Sequence, residues 1–243
     1  VDLRGFGAFA GPNALVLING RRLNDLDLAS FDLSTIPRDS IARIEVTRGN
    51  SGAVLYGDNA VGGVINIVTK TGAGGPPVSM RVDGGFGSFN QRTGDLAWLF
   101  NKGPWSSSLN GTLFASDGYR ANNALNRING VGDVRYTTPD FSAFLTVTGN
   151  DQRLGLPGAR RVDPTTGVNQ LVTDRTGTAS PLDYATQNIA TATTGFTKTL
   201  WSGAELIVDG GVRDKHQTSA FFGPLPLQTF NFSYADTTLT TWS

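Results

Sequence analysis

Alternation of apolar and polar residues is the feature that most restricts the fold of residues 78–243. In "VSMRVDGGF" (78–86), every second residue up to Val82 is apolar, and the residues between are polar or charged. Successive side chains of a β-strand point to opposite faces, so this pattern predicts a sheet with one apolar face and one mostly polar face. With the further stretches it predicts about eight strands, the clearer ones around 96–100, 105–115, 141–150 and 205–213 and the weaker ones around 130–138, 188–200 and 228–240.

Two structures satisfy this pattern, a soluble antiparallel sheet packed on a core and a membrane β-barrel with lipid outside. The lengths of the connections favour the barrel, because short turns alternate with longer polar connections. Phe100, Trp105, Phe141 and Trp201 stand at the short turns, where an interfacial aromatic girdle would lie. The short turns are 101–105, 137–140 and 200–203, and the longer connections are about 116–129, 151–187 and 214–227, with 87–91 as a short exception.

Composition excludes several classes of function. Lys+Arg and Asp+Glu are both 20, so there is no basic excess of the kind that a nucleic-acid binder carries. The chain has no cysteine and one histidine, His216, which excludes thiolate or multi-histidine metal sites and thiol nucleophiles. We interpret His216 as a solvated loop residue, and "RVDPTTGVNQ" (161–170) as turn chemistry without the oxygen spacing of a calcium loop. No enzyme activity, metal or cofactor is predicted.

Residues 1–72 follow a different pattern and predict a separate domain. Three strands are nearly continuous in apolar residues, which is typical of strands covered on both faces: "ALVLING" (14–20), "IARIEVTRG" (41–49) and "VGGVINIVTK" (61–70). Between the first two, "DLSTIPRDSI" (32–41) predicts one short helical turn. A Gly/Pro linker at 73–77 then separates this domain from the sheet of 78–243.

Five further pieces of sequence occur in this order: "LRGFG" (3–7), "VLINGRRLND" (16–25), "IPRDSIARIEVTRGNSGAVLYGDNAVGGVINIVTK" (36–70), "GSFN" (87–90) and "SDGYR" (116–120). Together and in this order they resemble the plug domain and first barrel hairpins of TonB-dependent outer-membrane receptors. The one visible departure is Asn50, where the family commonly has proline after Arg-Gly. The resemblance implies a mainly β fold, with a small α/β plug domain followed by antiparallel strands of an incomplete transmembrane barrel of about 22 strands.

The resemblance implies a receptor for TonB-energised import of a scarce solute across the outer membrane of a Gram-negative bacterium. A ferric siderophore is the leading solute. A signalling transducer, or an importer of cobalamin, haem or carbohydrate, remains the alternative. The implied partners are TonB, a small ligand such as a ferric chelate, and outer-membrane lipid. We expect the chain to be an internal fragment that lacks the TonB-contacting segment and the rest of the barrel.

Substrate contacts are expected on plug loops that face outward. The resemblance places the first loop at Arg4, Gly5 and Phe6, continued by Phe9. The stretch "LNDLDLAS" (23–30) predicts a second outward loop, with Asn24 and Asp25. Arginine suits an anionic ligand because its planar guanidinium donates hydrogen bonds in pairs. A buried arginine that serves plug carbonyls is the alternative interpretation of Arg4.

Arg43, Glu45 and Arg48 form a charged set in the second plug strand, where Arg43 and Glu45 share one face and Arg48 points the other way. They either tie the plug in place structurally or act as a latch that yields when the plug is pulled. Glycines in the same region either make tight turns or form a yielding segment. These glycines are Gly49, Gly52, Gly57, Gly62 and Gly63.

Overall fold

The computed structural model of the 243-residue chain describes residues 14–22, 33–48, 60, 62–201, 203–222 and 231–242. The chain divides into two compact units, Val1–Thr71 and Gly72–Ser243. Within the described part, no helix has the length and apolar character needed to cross a membrane.

The first unit contains a mixed four-stranded sheet in the order β2–β1–β4–β3. Strand β1 pairs with β4 in parallel, whereas β3 pairs with β4 antiparallel. Two short 3-10 turns, Leu33–Thr35 and Arg38–Ser40, precede β3 in place of the single predicted helical turn. The strands are β1 Ala14–Ile18, β2 Arg21–Arg22, β3 Ile41–Arg48 and β4 Gly63–Thr69.

The two central strands of this sheet supply an apolar core on both faces. Val16 and Ile65 belong to one buried cluster, and Leu17 and Val64 belong to the other. Strands β1 and β4 are therefore covered on both faces, as their continuous apolar runs predict.

Strand β3 differs from that prediction. Its residues after Ile41 are exposed, including Ile44 at 55% and Val46 at 50%. The prediction of burial on both faces is wrong for β3, because it lies at the edge of the sheet and carries Arg43 and Glu45, which are costly to bury.

The second unit is an eight-stranded antiparallel sheet in which every strand pairs with its neighbours along the chain. This confirms the predicted mainly β fold and the number of strands. The connection between β9 and β12 carries a two-stranded ribbon and a one-turn helix, α1. The elements are β5 Val78–Gly87, β6 Gln91–Lys102, β7 Trp105–Ser116, β8 Leu125–Thr137, β9 Phe141–Gly155, β10 Val162–Asp163, β11 Val168–Asn169, α1 Gln170–Thr173, β12 Tyr184–Trp201, β13 Ala204–Phe222 and β14 Asn231–Trp242.

Strand pairing places the alternating residues on two faces as predicted. Met80 lies opposite Trp98, and Trp98 lies opposite Leu109, so these three residues share the apolar face. Large apolar side chains on this face are exposed. They are Val78, Met80, Val82, Leu109, Leu113, Ile128, Val134, Leu145, Val147, Leu206 and Val208.

The opposite face of the same sheet is mostly polar, and many of its side chains are buried, together with the apolar Val131 and Ile189. Asn110 and Asp133 are each only 1% exposed. Further buried side chains on this face are Ser106, Ser108, Asn129, Thr146, Asn150, Arg213 and Lys215. A soluble sandwich would bury the apolar face instead, so the described residues do not fit that alternative.

At the end of the sheet opposite the tight turns, the strands extend further than the sequence predicts. Turns between β6 and β7, β8 and β9, and β12 and β13 are tight, whereas the connections at the other end include residues 117–124 and 156–183. His216 was predicted in a loop, which is wrong. It lies within β13, where its Nδ1 is 2.9 Å from Thr238 Oγ1 and its Nε2 is 3.2 Å from Asp236 Oδ1. Polar residues extend these strands because ladder hydrogen bonds form whatever the side chain.

Gly72, the residue just before the predicted linker, packs closely on the second unit's sheet. Gly72 has φ +77°, and a Cβ at this position would stand 2.7 Å from the carbonyl oxygen of Phe100. Asn101 Nδ2 also donates to the Gly75 carbonyl at 3.1 Å, and Asn101 N–H donates to the Pro77 carbonyl at 3.0 Å. Residues 72–77 are therefore hydrogen-bonded to and packed against strand β6 just before β5 begins.

Candidate functional site

The described residues contain only some of the predicted site. Arg43, Glu45, Arg48, Gly62 and Gly63 lie within them. The predicted ligand contacts and three of the glycines lie outside the described residues, namely Arg4, Phe6, Phe9, Asn24, Asp25, Gly49, Gly52 and Gly57.

Glu45 is the centre of a chain of hydrogen bonds that crosses the first sheet. Arg43 Nε donates to Glu45 Oε1 at 2.7 Å, and Asn66 Nδ2 donates to Glu45 Oε2 at 2.8 Å. Asn66 Oδ1 in turn accepts the Gly20 N–H at 2.9 Å. Glu45 and Asn66 are directly opposite in the β3–β4 ladder, so strand register builds this polar chain.

These bonds also fix the charge of Glu45. The hydrogen bond from Asn66, followed by that from Arg43, lowers the pKa of the Glu45 carboxyl below its ordinary value. Glu45 is thus a carboxylate at neutral pH. Its side chain and that of Arg43 remain about half exposed, so solvent screens their ion pair and keeps its net energy small.

Asn66 was not singled out from the sequence. The signal was present, because it is the polar residue inside the apolar run "VINIV" (64–68). Its side chain hydrogen-bonds to Glu45 on the neighbouring strand and to Gly20 in the turn after β1. Both ends of the amide therefore have a hydrogen-bond partner.

Arg48 is separated from the other two charged residues. It lies opposite Gly63 at the far end of β3, and no ion pair joins it to a carboxylate within the ranges that the structure describes. Gly63 has φ 140°, a conformation that side chains other than glycine rarely adopt. The structure therefore brings Arg43 and Glu45 together and leaves Arg48 apart.

A second set of side-chain hydrogen bonds, also not predicted from the sequence, joins the end of β1 to the end of β4. Asn19 has φ 50° and lies in an Asn-Gly turn. Its Oδ1 accepts the Thr69 N–H at 2.9 Å, and its Nδ2 donates to Thr69 Oγ1 at 2.9 Å. An Asn-Gly pair after an apolar run is the signal that predicts such a turn.

The polar face of the second sheet contains a buried ion pair. Asp133 accepts hydrogen bonds from Arg135 Nε at 2.9 Å and from Thr146 Oγ1 at 2.7 Å. The Arg135 guanidinium also lies 5.2 Å from the centroid of the Phe144 ring. In contrast, the buried side-chain amides of Asn110 and Asn150 make no hydrogen bond within the described ranges. The face thus has both satisfied and unsatisfied polar groups.

Two aspartates in the connections have hydrogen-bonded carboxylates. Lys198, and then Thr138, lowers the pKa of Asp140 in the turn between β8 and β9. In the long connection, Arg161 and then Thr166 lower the pKa of Asp163. Both groups are charged at neutral pH and hold their local turns.

Aromatic side chains line the apolar face beside the tight turns. Trp105 and Tyr136 have ring centroids 4.9 Å apart, and Tyr136 and Phe141 follow at 6.3 Å. Phe141 and Phe196 continue the row at 6.2 Å. Among the described residues, no group of three or more His, Cys, Asp or Glu side chains could hold a metal ion.

Comparison with known proteins agrees with this arrangement. A family model described as "TonB-dependent Receptor Plug Domain" matches residues 1–64. The vitamin B12 transporter BtuB of Photobacterium profundum is 42% identical over 91 residues, covering 37% of this chain and 15% of its own length. The rhizobactin receptor of Rhizobium meliloti is 30% identical over 151 residues, covering 54% of this chain and 20% of its own length.

Solved structures extend the likeness to the second unit. The ferric citrate transporter FecA in its unliganded form superposes with a TM-score of 0.70 at 18% identity, covering 90% of this chain and 34% of its own. The siderophore receptor PiuA from Acinetobacter baumannii gives 0.68 at 16% identity, covering 88% of this chain and 30% of its own. These likenesses concern the fold, and the chain spans a fifth or less of the length of the curated relatives described above.

Proposed function

Because the chain belongs to the TonB-dependent receptor family, we propose that it is part of a Gram-negative outer-membrane receptor that imports a scarce solute. The observation that carries this proposal is the second unit's sheet, with its exposed apolar face and buried polar face. Such a sheet is stable where lipid covers the apolar side.

The dimensions of the sheet suit that environment. A tilted membrane-spanning strand needs about 9–11 residues, and the strands of this sheet have 10 to 19. The aromatic row from Trp105 to Phe196 lies beside the tight turns, as an interfacial girdle does. On this proposal the tight turns face the periplasm and the long connections face outward.

The first unit is the plug, and its charged edge is the latch. The Arg43–Glu45 pair is largely exposed, so solvent screens it and its net contribution is small. The bonds described at Glu45 stay within the first unit. We propose that this exposed charged edge also pairs with polar groups of the barrel wall, through contacts that hold the plug at rest and break under a modest force, unlike an apolar interface. Arg48 is the third residue of the proposed latch, and the glycines, including Gly62 and Gly63, form the proposed yielding segment. On this proposal the force comes from TonB.

A ferric siderophore is the solute we propose first. Relatives and structural neighbours are named as receptors for enterobactin, rhizobactin and other siderophores. The proposed contacts at the plug apex are Arg4, Phe6, Phe9, Asn24 and Asp25. Arg4 would pair with an anionic chelate through its planar guanidinium. No residue is required to make or break a covalent bond.

Cobalamin is the second candidate. The observation that favours it is the 42% identity over 91 residues to a protein named as a vitamin B12 transporter. Because that likeness covers 37% of this chain, it leaves most of the barrel uncompared.

The test is deletion of the full-length gene, followed by uptake of three labelled probes. These are ⁵⁵Fe-enterobactin, ⁵⁵Fe-citrate and ⁵⁷Co-cyanocobalamin. We expect the deletion to abolish uptake of one probe, a plasmid copy to restore it, and deletion of tonB to abolish it again. Unchanged uptake of both iron chelates would exclude these siderophore-type substrates, and unchanged uptake of cyanocobalamin would exclude the second candidate.

A further inference from the structure

Three connections meet at the end of the second sheet opposite its tight turns. We call them connection A (88–90), connection B (117–124) and connection C (156–183). Connections A and B contain most of the pieces "GSFN" and "SDGYR", to which the sequence assigned no role. They touch through Phe89 and Tyr119, whose rings pack edge to face with centroids 5.6 Å apart.

Arg120 of connection B joins the two ends of connection C. Its Nη1 donates to the Gly158 carbonyl at 2.8 Å, and its Nη2 donates to the Pro157 carbonyl at 3.1 Å. Its Nε donates to the Gly177 carbonyl, also at 3.1 Å. One planar guanidinium thereby binds three backbone oxygens from segments about twenty residues apart, which a lysine could not span.

Asn122 makes a second bridge between the same two ends. Its Nδ2 lies 2.5 Å from the Ser180 carbonyl, 2.8 Å from the Asp183 carbonyl and 3.3 Å from the Leu156 carbonyl. Asn122 has φ 56°, a conformation that asparagine tolerates better than most residues. A neighbouring backbone bond runs from Ala121 N–H to the Thr176 carbonyl at 2.7 Å.

Glycine permits this close approach. A Cβ at Gly155 would stand 2.6 Å from the Asn122 carbonyl oxygen. A Cβ at Gly158, which has φ +64°, would stand 2.6 Å from Ser180 Oγ. The residues between the two held ends form the β10–β11 ribbon and α1, with Arg161 and Val172 exposed.

We propose that Arg120 and Asn122 are positioning residues that hold connection C in one shape, so that the solute meets a pre-organised outer mouth. We call this pair the loop clasp. The inference rests on the proposed function, which places connection C outside the cell. A loop ordered before binding avoids the entropy that a free loop loses on binding. The clasp therefore acts on affinity and not on the force-driven transport step.

The first arm of the test needs no solute. Whole cells that express the full-length receptor are treated with trypsin, and cleavage after Arg161 is followed by mass spectrometry. We expect Arg120→Ala and Asn122→Ala to speed cleavage about tenfold or more, and Arg120→Lys to give an intermediate rate. Arg92→Ala is the matched control, because Arg92 lies at the same end and bonds to Asn90. Wild-type rates in both clasp variants would overturn the proposal.

The second arm measures uptake of ⁵⁵Fe-enterobactin, ⁵⁵Fe-citrate and ⁵⁷Co-cyanocobalamin. For the probe that wild type transports, Arg120→Ala should raise the half-saturating concentration about tenfold and leave the maximal rate within about twofold. A similar, about tenfold loss of the maximal rate, with normal amounts of folded receptor, would overturn a positioning role. Failure of wild type to transport any probe would count against the proposed function, while the trypsin arm still decides the clasp.

An engineered disulfide tests whether a different link between connections B and C restores the properties lost in Arg120→Ala. This chain has no cysteine, and Ala121 and Thr176 have backbones that are hydrogen-bonded to each other. Ala121→Cys with Thr176→Cys, in the Arg120→Ala background, should restore slow cleavage and tight half-saturation when oxidised and lose both on reduction. A cross-link that forms but restores neither would contradict the clasp.

Discussion

In the first unit the central strands bury Leu17, Val64 and Ile65, whereas in the second unit the buried face carries Asn110 and Asp133. The same chain thus buries apolar side chains in one sheet and mainly polar side chains in the other. Hydrophobic burial explains the first sheet in water. The second sheet is explained by the proposed function, in which its apolar face meets lipid.

The largest effect is expected in the apolar core of the first unit. Leu17 is 1% exposed, and Leu17→Ala in the full-length receptor should lower the free energy of unfolding of this unit by about 3 kcal/mol. Calorimetry in detergent measures it. Ile44→Ala on the exposed edge strand is the control and should cost under about 1 kcal/mol. Equal losses would contradict the distinction between core and edge.

A nearly equal effect is expected at an exposed residue of the second unit. Val147 is 46% exposed on the apolar face, yet Val147→Arg should cost about 2–4 kcal/mol in a bilayer, because lipid solvates charge poorly. Urea titration of folding into lipid vesicles measures the loss, with Val147→Leu as the neutral control. A cost below about 0.5 kcal/mol would place this face in water.

A smaller effect is expected on the buried polar face. Asp133→Ala leaves Arg135 and Thr146 without their acceptor and should cost about 2 kcal/mol. Asp133→Asn keeps an acceptor oxygen and should lose less. The same vesicle titration compares the two variants. If alanine stabilised the sheet, that face would behave like an ordinary apolar core.

The smallest effect is expected at the latch and depends on pH. The pKa of Glu45 is lower in the folded state than in the unfolded chain. Its contribution to folding stability is therefore complete above the ordinary, unfolded pKa and is lost as pH falls through the folded pKa. Glu45→Gln should therefore lower the thermal midpoint of the first unit slightly at pH 7 and hardly at all at strongly acid pH. A larger effect in acid than at neutral pH would reverse the sign and contradict the assignment.

Features with a short repeat were predictable from sequence, and features that depend on distant neighbours were not. The period of two fixed the faces of the second sheet, because side-chain direction alternates along each strand. Exposure of β3 was missed because its edge position depends on sheet order. The clasp was missed because Arg120 and Asn122 bond to carbonyls 34 to 61 residues away. "GSFN" and "SDGYR" marked the place without indicating the contacts.

The most direct test of the central claim is a spin-label scan of residues 143–150 in β9 of the full-length receptor in lipid vesicles. We predict that accessibility to oxygen, which concentrates in lipid, alternates with a period of two and is high at Val147 and low at Thr148. A water-soluble nickel complex should give low accessibility at Val147. High nickel accessibility at Val147, or no alternation along the strand, would contradict a lipid-facing apolar surface.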